Sequence, residues 1–481
     1  FEFWNQTKFI DQISFFSKLF LTKNRTLELK PICISKHNKF IYFARHIVSF
    51  MRLKVFKINS GIEYIKPSTC AIDHVAEELV ASISNEQDLI NLKIDGLEIG
   101  RDILEGYLIE NKLPKITFNS KFYSYMKNCI YIYEHFKNVW ISDGDDVCLV
   151  LSHGLYKWGI IGKAAIASGV EVFCISEHSF YRLSREHPYC LPDMENYKKI
   201  FDGLDTDLKS KGTDWARKRL DKRLRGVAGV DITHNTISAF GENHLDLNID
   251  LPKLNDDTKS IVICPSCFFD NPHAYSKFIF CNFWEWFEFI GEHSNTDHNW
   301  LVKAHPDVLE GNLPLLKLIC KKYPHLQLID HRIKFQELAN RGVTICLSVY
   351  GSVGHELPFL GIDVINCANN PHVAFEFNHH LRTKNHLKEF LNAPNLLNKK
   401  DNLEQIYEFY FIHFLYKKSV SLRDYISYAN KATNELKYKL PKNDNPNVMG
   451  ASLFKCWLDK NEVYTTISRE QVNDLISSEY S

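Results

Sequence analysis

The segment Cys346-Leu-Ser-Val-Tyr-Gly-Ser-Val-Gly-His-Glu356 sets three hydroxyls, those of Ser348, Tyr350 and Ser352, around two glycines. Thr344-Ile-Cys-Leu347 is an apolar run suited to a buried strand. Gly351 and Gly354 keep the following turn free of side chains. A helix opening at such a turn aims its first backbone amides into it, which suits phosphate. Pro358 has no N–H and is tolerated only in about the first turn, so the helix is predicted to start near Ser352 to Gly354. Glu356 then lies in that turn, where it could accept two ribose hydroxyls or only favour the helix N-terminus. Ile362-Asp-Val-Ile-Asn366 is predicted to be the next strand.

Three more loops follow predicted strands and carry chemistry-bearing residues. Pro265 to His273 supplies Ser266, Asp270 and His273. Lys303-Ala-His-Pro306 supplies Lys303 and His305, a cation and a hydrogen-bonding ring for a diphosphate. Asn366 to His372 supplies Asn370 and His372, for a base or a sugar. In open parallel sheets ligands bind at the carboxyl ends of strands, so neighbouring parallel strands would gather these loops into one crevice. Each residue also has a plain reading, as a surface lysine, a turn histidine or a capping carboxylate. Asp270 and His273 have no third ligand at close spacing, so no metal is expected. His379 and His380 are expected on a helix, as structural residues. In the first half, His153, Glu177 and His178 follow adjacent predicted strands. One of them could be the general base for an acceptor hydroxyl, or all three could bind acceptor or support the fold. Asp143, Asp145 and Asp146 read as an exposed turn.

The elements that must position these residues alternate between strand and helix, which predicts an α/β protein with parallel sheets. Strands are predicted at 54–58, 147–151 and 170–175, and helices at 73–91, 158–168 and 195–204. After a polar, proline-containing linker at 251–258 the pattern restarts. Strands are expected at 260–264, 300–303 and 326–329, and helices at 282–292, 313–323 and 335–341. From Leu403 the chain reads as helical and aromatic. The expected domains are 1–250 on the acceptor side, 258–400 on the nucleotide side, and a helical tail, 401–481, packing back across both.

Composition narrows the class. With 481 residues the chain is long for one domain. Lys+Arg and Asp+Glu balance at 58 each, which argues against a dedicated nucleic-acid binder. Lys209 to Arg225 is a local basic helix, read as solvated surface or as contact with an anionic acceptor or membrane. The 13 cysteines are scattered, and Cys264-Pro-Ser-Cys267 is the one CxxC, a redox pair or a pocket loop. Free thiols fit a reducing cytoplasm. No apolar run reaches eighteen residues, and no signal-peptide pattern opens the sequence. Phe3 to Phe20 is an aromatic amphipathic stretch, for the core or for peripheral membrane contact.

Taken together, Trp300-Leu-Val-Lys-Ala-His-Pro306, Val349-Tyr-Gly-Ser-Val-Gly-His-Glu356 and Gly361-Ile-Asp-Val-Ile-Asn366 resemble the donor domain of bacterial capsule and lipopolysaccharide glycosyltransferases. That group includes Kdo-transferring capsule enzymes and, more distantly, teichoic acid glycerophosphotransferases. The resemblance spans roughly residues 260 to 392, while the first half shares only its architecture and Ser152-His-Gly154. It implies a GT-B fold, two Rossmann-like domains facing a central cleft. It also implies a nucleotide-sugar donor (CMP-, UDP- or GDP-linked) near Lys303, His305, Ser348 to Ser352 and Glu356, with no metal cofactor.

The leading expectation is therefore a glycosyltransferase acting on a growing surface polysaccharide or lipopolysaccharide. The alternatives are a sugar-nucleotide epimerase or hydrolase of the same architecture, and a non-catalytic glycan- or nucleotide-binding protein.

Overall fold

A computed structural model describes most of residues 70–416 and four two-residue strands before them. Residues 144–146, 152–153, 176–179, 192–193, 228–229, 231–239, 241–251, 256, 276, 306–309, 395–401 and 417–481, and the rest of the chain before residue 70, lie outside the described residues. His153, Glu177, His178, Asp145, Asp146 and the aromatic stretch 3–20 fall there, as does most of the predicted tail.

The first half opens with parallel pairs of two-residue strands, β1 (Glu28–Leu29) with β3 (Lys57–Ile58) and β2 (Ile32–Cys33) with β4 (Ile62–Glu63). Helices α1 (Cys70–Ala81) and α2 (Glu86–Ile90) lead into the hairpin of β5 (Lys93–Ile94) and β6 (Leu97–Glu98). Then come α3 (Gly100–Asn111), α4 (Ser120–Asp143), β7 (Cys148–Leu151), α5 (Tyr156–Ala167), β8 (Glu171–Ile175) and β9 (Phe180–Leu183). β7 and β8 are parallel and β9 turns back antiparallel. The predicted strands at 147–151 and 170–175 are present. Helices α3 and α4 had no counterpart in the sequence reading. Aromatic residues occur all round α4, among them Phe122, Tyr123, Tyr125, Tyr131 and Tyr133, which blurs the apolar period in the sequence, while the buried Phe122, Met126, Tyr133 and Phe136 keep helical spacing.

Helices α6 (Tyr197–Asp202) and α7 (Thr206–Leu224) close this half. Asp205 caps α7 by accepting from the Leu208 amide at 3.0 Å. The basic run is not a wholly solvated helix. Leu208, Trp215, Ala216, Leu220 and Arg223 form a buried face. Against it lies α13 (Glu404–Phe411), the start of the aromatic tail, with Trp215 and Tyr410 rings 6.0 Å apart.

The second half is one six-stranded, wholly parallel sheet. Its strands are β10 (Ser260–Cys264), β11 (Asn299–Lys303), β12 (Leu326–Ile329), β13 (Val343–Ser348), β14 (Asp363–Asn366) and β15 (His379–His380). The spatial order is β12-β11-β10-β13-β14-β15. Numbered within this half it reads 3-2-1-4-5-6, the Rossmann order, with its switch point between β10 and β13. Ile261 and Ile263 face one apolar layer and Val262 the other, so both faces of the sheet are covered, as a parallel sheet requires. One layer holds α8 (Phe283–His293), α9 (Asn312–Lys322) and α12 (Lys384–Asn392). The other holds α10 (Phe335–Asn340) and the single-turn α11 (Val353–Glu356). The chain is thus α/β, with a Rossmann-ordered second half. His379 and His380 correct the expected helix: their backbone pairs with Ile365 and Asn366 and occupies what would otherwise be an open edge of β14.

Candidate active site between the two halves

The turn at 348–354 sits at the switch point. Cys264 and Ser348 are register partners at the ends of β10 and β13. The buried Ser348 hydroxyl lies 2.7 Å from the Tyr350 carbonyl and 3.1 Å from that of Cys264, tying turn to sheet. Gly351 has φ 117°, a conformation that any Cβ would strain, and it is exposed at the tip of the turn. Ser266 is half-buried at the end of β10. α11 starts at Val353, where Pro358 predicted, but it lasts one turn before a 3₁₀ segment, Leu357–Leu360. The amides of Gly354, His355 and Glu356 already bond to Gly351 and Ser352. The turn therefore keeps only the amides of Gly351, Ser352 and Val353 for a ligand, with little dipole behind them.

Glu356 is fully committed. One carboxylate oxygen accepts from the Arg223 guanidinium of α7 and the other lies 3.1 Å from the Ser352 hydroxyl. Arg223 also donates to the Val230 carbonyl at 3.0 Å. Both ion-pair partners are buried, so this contact fastens α7 of the first half to the switch-point turn and leaves no oxygen for ribose. Tyr350 is spent too. Its hydroxyl donates to the Pro272 carbonyl, and its ring packs 5.3 Å from Tyr275 and 5.8 Å from Phe283.

Behind α11 lies a buried polar cluster. His355 Nδ1 and His372 Nε2 are 3.0 Å apart, and Asn370 Oδ1 accepts from the His372 amide at 2.9 Å. Gly354 lets His372 approach, since a Cβ there would lie 2.4 Å from its ring. Burial away from water holds both histidines well below the usual 6.5, with Arg223 and His413 adding to it at His355, and His380 and His413 at His372. Such histidines are neutral in the fold but take up protons in the unfolded chain. Their contribution is whole above pH 6.5 and is lost as pH falls below it. Unfolding free energy from urea titrations should drop by up to about 1.4 kcal/mol per pH unit per histidine below pH 6. His355→Phe should flatten that slope, and an unaltered slope would refute this assignment.

Lys303 and His305 diverge. Lys303 is buried, its ammonium 2.5 Å from the His331 carbonyl and 4.9 Å from the Phe335 ring centroid. Burial lowers its pKa, with Cys264 and Asp330 partly offsetting this. His305 is exposed.

The densest charge cluster joins the β10 loop to α3. Glu105 is fully buried, and its Oε1 lies 3.1 Å from both the backbone amide and Nδ1 of His273. Arg101 Nε reaches the same oxygen at 3.3 Å. With its amide oriented to donate, Asn271 Nδ2 lies 3.0 Å from Oε2. Burial pushes the Glu105 carboxyl up, but Arg101 and the His273 contacts more than offset it and hold it below the ordinary carboxylate range. Next to Arg101, Asp102 pairs with Lys163 of α5, both buried. Burial raises Asp102 to about 6 against the pull of Lys163. Asp270 accepts from the Tyr156 hydroxyl at 2.9 Å and is also raised by burial. Tyr156 holds φ 56°, a strained value for an aromatic residue at a helix start.

His273 and Asp270, both candidates from sequence, fall in this cluster. Arg101, Asp102, Glu105 and Lys163 had no role in the sequence reading, and Arg223 stood there only as one cation of the basic helix. A signal did exist: Arg101-Asp-x-x-Glu105 interrupts a helix otherwise built from Ile99, Ile103, Leu104, Tyr107 and Leu108. Charges on the buried side of an apolar helix mark a site or a structural pair. The Cys-Pro-Ser-Cys pair holds free thiols, and burial raises Cys267 to about 12, which removes thiolate reactivity at neutral pH. Among the described residues no three His, Cys, Asp or Glu side chains are placed to hold a metal ion, and no helix is long and apolar enough to cross a membrane.

No family model and no curated protein matches the chain. Among solved structures it is similar to Thermosulfurimonas dismutans KpsC, β-Kdo 2,7 transferase, at 12% identity over 52% of this chain and 70% of that one, with a TM-score of 0.28. The β-Kdo 2,4 transferase of the same KpsC gives 12% identity, 51% and 74% coverage, and 0.29. UDP-GlcNAc 2-epimerase from Neisseria meningitidis, bound to UDP-GlcNAc, gives 11%, 83% and 94%, and 0.22. At such scores the chemistry of this chain has to be read from its own site.

Proposed function

We propose that the protein is a glycosyltransferase. A nucleotide-sugar donor sits at the switch-point turn and His273 takes the proton from an acceptor hydroxyl. The observation that carries this is the buried Glu105–His273 pair. A carboxylate on Nδ1 fixes the tautomer and leaves Nε2 as the accepting nitrogen. His273 borders an open cavity, and its loop leaves the strand that forms one side of the switch point. The turn amides of Gly351 to Val353 and the hydroxyl of Ser266 line the phosphate end. Neither Lys303 nor Glu356 contacts the donor phosphates or ribose in this scheme. His153, Glu177 and His178 stay candidates for the acceptor side, following β7 and β8. The donor is a CMP-, UDP- or GDP-sugar and the acceptor a glycan of a surface polysaccharide or lipopolysaccharide. The enzyme works on the cytoplasmic side, where nucleotide sugars are made, without a metal cofactor.

A second reading rests on a separate observation. Burial raises Asp102 and Asp270, while Arg101 and His273 lower Glu105, so carboxyl groups of unlike acidity stand side by side in one cluster. That set could epimerise or hydrolyse a sugar nucleotide with no acceptor. Incubation with a panel of nucleotide sugars separates the two. Nucleotide release that requires added glycan supports transfer, and release or isomerisation without glycan supports the second reading. Glu177→Ala, assayed alongside His273→Ala, shows whether His273 or the β8 loop supplies the base.

A further inference from the structure

An open cavity of about 260 Å³ lies beside the Glu105–His273 pair, between the first half and the 273–281 segment. Its walls are of two kinds. Tyr189, Phe278 and Phe280 give it apolar ring faces, and Arg101, Lys277 and Lys384 bring cationic groups. Among the described lining residues Glu98 is the one carboxylate, and it is engaged by Lys93 at 3.5 Å and by the Tyr189 hydroxyl at 3.3 Å. The three cations have carboxylate partners outside the lining, Glu105, Glu195 and Glu285, so the cavity offers an anion their unused N–H groups rather than a net positive charge.

Arg101 is the built part of this wall. It is 6% exposed, and its guanidinium carbon lies 4.4 Å from the Tyr189 ring centroid. Lys163 approaches the same ring at 4.0 Å, so Tyr189 is held by two buried cations. The bond to Glu105 uses only Nε, and the terminal nitrogens of the fork have no hydrogen-bond partner among the described residues. A planar fork with two open N–H groups suits a carboxylate or a phosphate. Lys277 and Lys384 pair with Glu195 and Glu285, but these are half-exposed contacts of low net worth and can turn towards a guest. The volume lies just under the usual lower bound of about 300 Å³ for ligand pockets, room for one ring rather than a polymer.

We infer that this cavity binds a single sugar ring bearing a carboxylate or a phosphate, its ring face on Tyr189 and Phe278 and its anion on Arg101, Lys277 and Lys384. The site stands on the cavity alone. Its assignment as the seat of the acceptor's terminal residue rests on the transferase reading and on the His273 edge that it shares with the candidate base.

Calorimetric titration of the full chain with glucuronate, glucose 6-phosphate and glucose, without nucleotide, tests this. At least one charged sugar should saturate and glucose should bind at least tenfold more weakly. The stronger of the two charged ligands identifies the anion. The Lys277→Gln/Lys384→Gln double variant, altering only half-exposed side chains, should weaken the charged ligand about tenfold. Saturation by none of the three, equal binding of glucose, or an unaffected double variant would overturn the inference. Because nucleotide is absent, a failed titration leaves the turnover assay standing. Failed turnover likewise leaves the titration standing.

Discussion

Glu105→Gln should lower the turnover number by about 10²- to 10⁴-fold, the range in which a positioned general base contributes. The amide keeps the volume and can still accept from the His273 backbone, but it removes the charge that holds the ring in one tautomer. His273→Ala should fall to the same floor, and the double variant should fall little further, because the two residues act as one unit. A purely structural Glu105 would move stability and leave the turnover number of the folded protein alone. As the positioning residue it should lower the turnover number while KM stays near the wild-type value, and Glu105→Asp, which keeps the charge, should recover part of the loss. A loss confined to KM, or no difference between the Gln and Asp variants, would remove Glu105 from this role.

The second large effect concerns the clasp between the halves. Arg223→Met leaves Glu356 buried without its cation and should destabilise the protein by about 3–5 kcal/mol in equilibrium denaturation. Replacing both, Arg223→Met with Glu356→Met, should recover much of that, since a buried ion pair is often matched by apolar groups of similar size. If the double variant is as unstable as the single one, the pair is not the unit at risk.

Much of the second half was legible because its strands are short, mostly apolar runs, several of them with proline or glycine within a few residues of an end. Ser260 to Cys264 and Leu326 to Ile329 keep their predicted limits to the residue. Pro358 located the start of α11 for a simple reason, its missing N–H. What could not be seen was pairing at long range. His273 stood out as a site residue, but its carboxylate lies 168 positions away on a helix the sequence reading did not resolve. Glu356 looked like a ribose ligand because its position suits one, and only the packing of α7 shows the carboxylate already occupied. Ser348 and Tyr350 illustrate the same point: their hydroxyls were correctly placed in the turn, but they bond to backbone carbonyls. The charged positions of α3 escaped notice, and Arg223 of α7 was read only as part of a basic surface helix, because a charged residue in a helix is usually solvated and burial is a property of the fold.

The central claim is that the switch-point turn receives the phosphates of a nucleotide. Binding of CMP, UDP and GDP to the full chain, followed by titration calorimetry in the wild type and in Ser352→Glu, tests it most directly. At least one nucleotide should bind saturably to the wild type, and the added carboxylate at the turn should weaken that binding by tenfold or more. Absence of binding by all three, or equal binding by the variant, would contradict it.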